Sequence, residues 1–405
     1  MTKKYLYFQP EYVRKFKCNG AKCDARCCKN WRIEIDAQTH AQYSRIQPKI
    51  NAQEILSHIK FNPDTRKYFV DMGTKKICPF LTEKILCRLQ LKYGENFLSL
   101  TCATFPRFTR NFGKFFERAL SLTCPVAAET ILFRDAPLKF EWIELWEDPA
   151  AKVGILPSPV PQKLISYFVD IQIAMISILQ ERTLSIDQRL IVLGFFLDRL
   201  DEIISDGFDD DATTKLIAAY ESKNFLSRQV PRMLAAVTFD AKKFIGQILG
   251  LLETICGGKN LGDNEKFLDA LIETLKIFPD GSGKVSVTKI AANYERLADK
   301  RKIFQARYAT FSENFLVNEI FLTCFPWKFK MSFAKNFGVF VAEYKIFELL
   351  TFSAAQKNLD GKDDLLKLVD WFTNQTDHGS DFNLKILDNI PDDIFSVTET
   401  FLEAH

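Results

Sequence analysis

The 405-residue sequence has only four histidines, at positions 40, 58, 378 and 405. None stands in a Cys–His signature, so a thiol–imidazole nucleophile is not indicated. No apolar run approaches the roughly 18 residues that a membrane span needs; the longest, such as LIVLGFFL, suit a core helix. The N-terminus, MTKKYLYFQPEYVRKF, carries basic residues but lacks the apolar segment of a secretory signal. The net charge of +3 gives no global attraction to polyanions, and no nucleic-acid partner is expected. Also missing are a fixed-period repeat and the strand and glycine-rich turn of a dinucleotide fold. PDGSGKV, with Gly281, Gly283 and Lys284, does not meet the phosphate-loop pattern and reads as a turn. These absences leave a cytoplasmic chain without a membrane span, where stable disulfides are disfavoured.

Cysteine is present in quantity and in one place. Eight of ten fall between positions 18 and 124: Cys18, Cys23, Cys27, Cys28, Cys78, Cys87, Cys102 and Cys124. The first four have the spacing C-x4-C-x3-C-C within FKCNGAKCDARCCKNWRIEID. A C-x2-C pair, which aims two thiolates at one zinc ion from a single turn, does not occur. Chain neighbours such as Cys27 and Cys28 are expected to point apart, which suits a larger cluster or two centres better than one tetrahedral ion. Soft thiolates in this number suit zinc or an iron–sulfur cluster. Cys256 and Cys324 sit in apolar helix ends and read as packing. His40 and His58 are possible ligands but read as surface residues.

The remaining pattern divides the chain. Residues 1–140 read as a small, irregular, cysteine-rich domain holding a metal centre. WRIEID alternates like a short strand, and Cys78, followed by proline, marks a turn or a helix start. Residues 141–160, with several prolines and acids, read as a linker. From 161 to 405 the apolar spacing is helical, with Pro161 near a helix start and Ser185 as an N-cap; KVSVTKI is a strand-like exception. The expected fold is therefore mainly α. Residues 1–30 carry eight Lys/Arg against two acids, and residues 355–405 carry eleven acids against four lysines. Both read as solvated faces, the second with the capacity to attract a lysine-rich partner.

The motifs CNGAKCDARCCKNW, CPFL, CRLQ, LSLTCATFPR and ERALSLTCP, in this order and spacing, resemble the flagellin lysine-N-methylase family, FliB. The first motif also resembles the wider YkgJ-type cysteine-cluster proteins. RLIVLGFFLDRL and ENFLVNEIFLTCFPW carry a weaker likeness. One departure is Val126, where the family pattern leads one to expect an acid. The resemblance implies an enzyme that methylates lysine ε-amines of flagellin with S-adenosylmethionine, and a [4Fe–4S] cluster bound by some of the eight N-terminal cysteines. The rivals are a metal-binding or electron-transfer module without methyl transfer, and a zinc-stapled structural protein.

Methyl transfer needs a neutral amine, exclusion of water and a wall that favours a sulfonium. Trp31, Tyr93, Phe105, Phe112 and Phe116 are aromatic candidates, with Trp31 singled out for the cofactor. FPRFTRNFGKFFER brings Arg107, Arg110, Lys114 and Arg118 next to Cys102, as a basic helix face or as a contact for the cofactor carboxylate, chiefly through Arg107. The C-x3-C-x2-C motif of radical S-adenosylmethionine enzymes is not met, because Cys28 follows Cys27 directly. No catalytic base is identified.

Overall fold

The structure, a computed structural model, describes residues 3–20, 23, 26–29, 32–147, 155–256, 264–378 and 386–404. The chain is mainly α and divides into two units. One comprises residues 1–131 and 138–158, the other residues 132–137 and 159–405.

The N-terminal unit contains more sheet than its sequence suggests. Strand β1 (Lys3–Pro10) buries Tyr7, Phe8 and Gln9 in succession. A strand covered on both faces shows no alternation, which is why the second half of YLYFQP gives no strand signal. Helix α1 (Glu11–Lys15) follows it. A small antiparallel sheet, in the order β2-β4-β3, is made by Glu34–Ile35 (β2), Ile59–Asn62 (β3) and Lys67–Val70 (β4). Helices α2 (Ala37–Ser44) and α3 (Lys49–Ser57) accompany it, the first capped by Asp36, whose side chain accepts from the Thr39 amide at 2.8 Å. Short helices α4 (Arg88–Tyr93) and α5 (Leu100–Thr104) lead to a hairpin of β5 (Arg107–Asn111) and β6 (Phe116–Leu120). FPRFTRNFGKFFER thus forms two strands and a turn with Gly113 at φ 84°, not a helix face. Helix α6 (Pro125–Leu132) packs Ala127, Ala128 and Ile131.

The proline-bearing stretch 141–160 contains most of β7 (Phe140–Glu147) and all of β8 (Ile155–Pro157). The five-stranded sheet runs β7-β1-β6-β5-β8. β1 pairs antiparallel with β7 over its whole length and parallel with β6. The acids and prolines suggested an exposed connection, but FEWIELWE alternates between half-buried and exposed positions and makes an edge strand.

The second unit is helical. Its elements are α7 (Phe168–Leu179), α8 (Ile186–Ser205), α9 (Asp210–Glu221), α10 (Lys223–Ala235), α11 (Ala241–Cys256) and α12 (Glu265–Leu275). These are followed by α13 (Val287–Arg296), α14 (Ala298–Thr323), α15 (Phe333–Gln356), α16 (Lys362–His378) and the C-terminal helix Ile394–Phe401. Ser185 caps α8 in a reciprocal capping box with Gln188. KVSVTKI does not extend as a strand. Val285 makes one bridge to Pro279, and Ser286 then caps α13, because a serine side chain can satisfy the first free amides of a helix.

Helix α15 is buried from Phe333 to Ala354. A helix apolar on every side belongs at the centre of a bundle, and α15 packs against α8, α12, α14, α16 and the C-terminal helix. It also carries charge inward. The Lys345 ammonium, fully buried, donates to both Asp187 oxygens at 3.1 and 3.0 Å and to Glu348 at 2.5 Å. The Glu403 amide donates to Asp187 at 3.1 Å, and the Glu403 carboxylate accepts from Tyr294 and Arg301, each at 2.7 Å. Cys324 is buried in the left-handed cap position of α14. Cys256 ends α11, and its side chain lies outside the described residues. Among the described residues no helix is long and apolar enough to cross a membrane.

Candidate metal centre

Seven of the eight N-terminal cysteines line one cavity of about 360 Å³: Cys18, Cys23, Cys27, Cys28, Cys87, Cys102 and Cys124. They reach it from five separate pieces of chain, each held by its own backbone device.

Cys18 and Cys23 flank a tight turn at Gly20, whose φ of 55° is in the left-handed region that glycine tolerates. The Gly20 amide donates to the Cys18 sulfur at 3.4 Å, and the Cys23 amide to the Gly20 carbonyl at 3.0 Å. Cys27 and Cys28 belong to a 3₁₀ turn, Arg26–Cys28, and their sulfurs are 3.9 Å apart on the same cavity wall. The tight turn is what brings chain neighbours, expected to diverge, to one surface. Cys78 stands behind them. Its amide donates to the Cys28 carbonyl at 2.8 Å, beside a bridge between Lys29 and Ile77, and its buried thiol packs in a core with Ile33, Phe80 and Leu89.

Cys87 precedes α4, fixed by a bridge to Leu81 and by donation from the Arg88 amide to the Phe80 carbonyl at 2.7 Å. Cys102 lies in the first turn of α5, where the Ser99 hydroxyl accepts its amide at 3.2 Å. Cys124 precedes α6, and the Val126 and Ala127 amides reach its sulfur. Burial pushes both Cys102 and Cys124 up to about 12. The Cys28 thiol is raised because Cys27 and then Cys78 share its proton, and the same contacts lower Cys27 and Cys78. Within this group the three neighbouring sulfurs therefore share protons among themselves, while burial disfavours charge at Cys102 and Cys124.

Among the described residues no three Cys, His, Asp or Glu converge as a single-ion site. The sulfurs line the walls of a space instead of meeting at a point. A donor set of this kind fits a cluster that fills a cavity and takes thiolates from several sides; it fits a single tetrahedral zinc less well.

The other predicted residues separate. Arg107 and Phe105 line the cavity, and the Arg107 guanidinium is 5.1 Å from the Phe16 ring centroid. Trp31 lies outside the described residues. Tyr93 packs on Phe97, Phe112 stacks on Phe115, and Phe116 meets Tyr5 and Tyr7, so these three serve packing. Arg118 is buried, donating to Thr109 and Tyr7 at 3.1 Å each. His40 stacks on Tyr68, and His58 faces Glu54 at 3.6 Å. Val126 lines the cavity, so the departure from the family pattern puts an apolar group on this wall. Lys17, Gln90 and Glu95 also line it and had no sequence signal beyond the glycine before Glu95.

Residues 172–402 match the family model described as the FliB lysine N-methylase C-terminal domain. A lysine-N-methylase of Salmonella typhimurium (strain LT2) is 22% identical over 384 residues, covering 92% of each chain. One of Salmonella choleraesuis (strain SC-B67) is 23% identical over 386 residues, again covering 92% of each. The flagellar biosynthetic protein FliU of Salmonella muenchen is 32% identical over 127 residues, which is 31% of this chain and 75% of that protein. No solved structure matches.

Proposed function

The chain belongs to the FliB lysine N-methylase family, and on that footing we propose that it transfers methyl groups from S-adenosylmethionine to lysine ε-amines of flagellin. The observation that carries this reading is the alignment with two lysine-N-methylases over 92% of their length and of this chain's. The flagellar name of a third relative favours flagellin as the protein substrate. The reading includes a reducing, cytoplasmic address, where the thiols stay available for metal.

We further propose a [4Fe–4S] cluster in the cysteine cavity, held by four of Cys18, Cys23, Cys27, Cys28, Cys87, Cys102 and Cys124, with Cys78 supporting Cys28 from behind. When bound, such a cluster would supply one-electron chemistry from a centre whose irons the four thiolates hold. The chain's own residues supply the surroundings. Leu81, Ile85, Leu86 and Leu98 make one wall of the cavity apolar. A desolvated wall favours the neutral form of an incoming amine, the form that can accept a methyl group.

Two measurements test the reading. Anaerobically purified protein is assayed for iron, sulfide and zinc and by ultraviolet–visible absorption. Flagellin is then incubated with this protein and S-adenosylmethionine and weighed by mass spectrometry. The expected result is a cluster spectrum and a mass gain of one methylene per modified lysine. Zinc without iron would remove the cluster, and no mass gain with an intact cluster would leave a metal-binding or electron-transfer module.

A further inference from the structure

Arg107 and Glu95 carry opposite charges on the wall of the thiol cavity, and each lies in the other's field. They stop short of pairing. Among the described residues, neither meets an opposite charge at ion-pair distance. Arg107 is partly buried on β5 and set over the Phe16 ring. Its guanidinium is disfavoured first by burial and then by the nearby Arg118, so it gains from an incoming anion.

Glu95 is held in place by its backbone. It begins a 3₁₀ turn, Glu95–Phe97, directly after Gly94. Gly94 has φ 85° and ψ 172°, a region that is essentially closed to residues with a Cβ. A Cβ there would meet nothing within 4 Å, so the backbone conformation, not space, demands glycine. The far end of the turn is pinned: the Tyr43 hydroxyl donates to the Phe97 carbonyl at 2.7 Å, and the Phe97 ring packs on Tyr93. Glycine takes this conformation without strain, and so joins the end of α4 directly to the turn that carries Glu95. The exposed Glu95 thus stands at the rim of a cavity otherwise lined by thiols, apolar side chains, Gln90 and two cations.

A cation and an anion that share a cavity without closing on each other are complementary to a zwitterion. A group that carries a carboxylate and an ammonium on one carbon satisfies both at once. We infer that Arg107 and Glu95 form a clamp for the α-amino-acid end of S-adenosylmethionine, Arg107 taking the carboxylate and Glu95 the ammonium. The inference rests on the proposal that S-adenosylmethionine is the methyl donor, and it adds the residue that reads the amino group. A planar guanidinium is suited to a two-pronged carboxylate contact.

The test uses anaerobically purified full-length protein and isothermal titration with S-adenosylhomocysteine, which shares the amino-acid end and transfers no methyl group. Its analogues lacking the carboxylate, or carrying hydroxyl in place of the amine, complete the set. Arg107→Met and Glu95→Gln are each expected to weaken S-adenosylhomocysteine about tenfold or more. Arg107→Met is expected to bind the des-carboxy analogue as the unchanged protein does, and Glu95→Gln to bind the hydroxyl analogue as the unchanged protein does. Gly94→Ala should weaken S-adenosylhomocysteine in the same pattern as Glu95→Gln, with iron content unchanged. Matching thermal melts show that the variants fold. Normal binding by folded variants, or an equal loss for all three ligands, overturns the clamp and leaves the methylase reading standing. Free methionine binding more tightly than S-adenosylhomocysteine would assign the clamp to a free amino acid and overturn it. No binding of S-adenosylhomocysteine by the unchanged protein would overturn both.

Discussion

The Cys78 amide donates to the Cys28 carbonyl at 2.8 Å, and so joins the first four cysteines to the second four through the backbone. The cavity therefore depends on chain pairing as well as on thiols. Serine substitution of Cys27, Cys102 or Cys124 should lower the iron and sulfide bound per chain. Cys324→Ser, in the helical unit, should leave both unchanged. Metal analysis of anaerobic preparations checks this, and full iron in all three cavity variants would exclude them as ligands and confine the cluster to Cys18, Cys23, Cys28 and Cys87.

Lys345 is the buried cation between Asp187 and Glu348. Lys345→Met leaves both carboxylates buried without it, at a cost of about 3–5 kcal/mol, because one half of a buried pair is worse than none. Urea unfolding followed by helical circular dichroism measures the loss. Adding Asp187→Leu should recover part of it. A single-variant loss below about 1 kcal/mol would be inconsistent with an uncompensated buried charge.

The same site sets a pH dependence. Burial raises Asp187 to about 6, against the pull of Lys345 and with help from Glu348 and Glu403. A carboxyl raised in the folded state holds its proton more tightly folded than unfolded. Its stabilising contribution is complete below its ordinary value near 4 and is lost as pH rises through about 6. The stability of the unchanged protein relative to Asp187→Asn should therefore fall between about pH 4 and pH 7. A flat or rising difference in urea titrations across that window would contradict the sign.

Two helical glycines should respond oppositely to alanine. A Cβ on Gly338 in α15 would lie 2.1 Å from Ile390 Cγ2, so Gly338→Ala must move packed atoms. The expected loss is about 1–3 kcal/mol. Gly250 in α11 has nothing within 4 Å of the same position. Gly250→Ala should stabilise by roughly 0.5–1 kcal/mol through helix propensity. Thermal melts of the two variants give the comparison.

Most helices of the second unit were readable because their apolar spacing follows one buried face, α15 because its long apolar run fills the centre, and Ser185 announced the start of α8. The collection of thiols was readable from their density. The five-stranded sheet was not. The second half of β1 is buried on both sides and shows no alternation, and the alternation of β7 was masked by glutamates and neighbouring prolines. KVSVTKI misled in the other direction, because two alternating valines outweighed the serine that caps α13. Glu95 was invisible because its importance comes from the backbone angles of Gly94, which no spacing rule reports.

The sheet also sets an order of events during synthesis. Lys3 pairs with Glu147, and Tyr7 lies between Ile143 and Phe116. Strand β1 thus leaves the ribosome before both of its partners, β6 and β7, and waits for them. At about 5–20 residues per second the wait after Cys28 is on the order of ten seconds. During that interval the early thiols have no finished cavity around them. A cluster of the proposed kind would therefore meet its complete set of thiols only after Cys124 has been made.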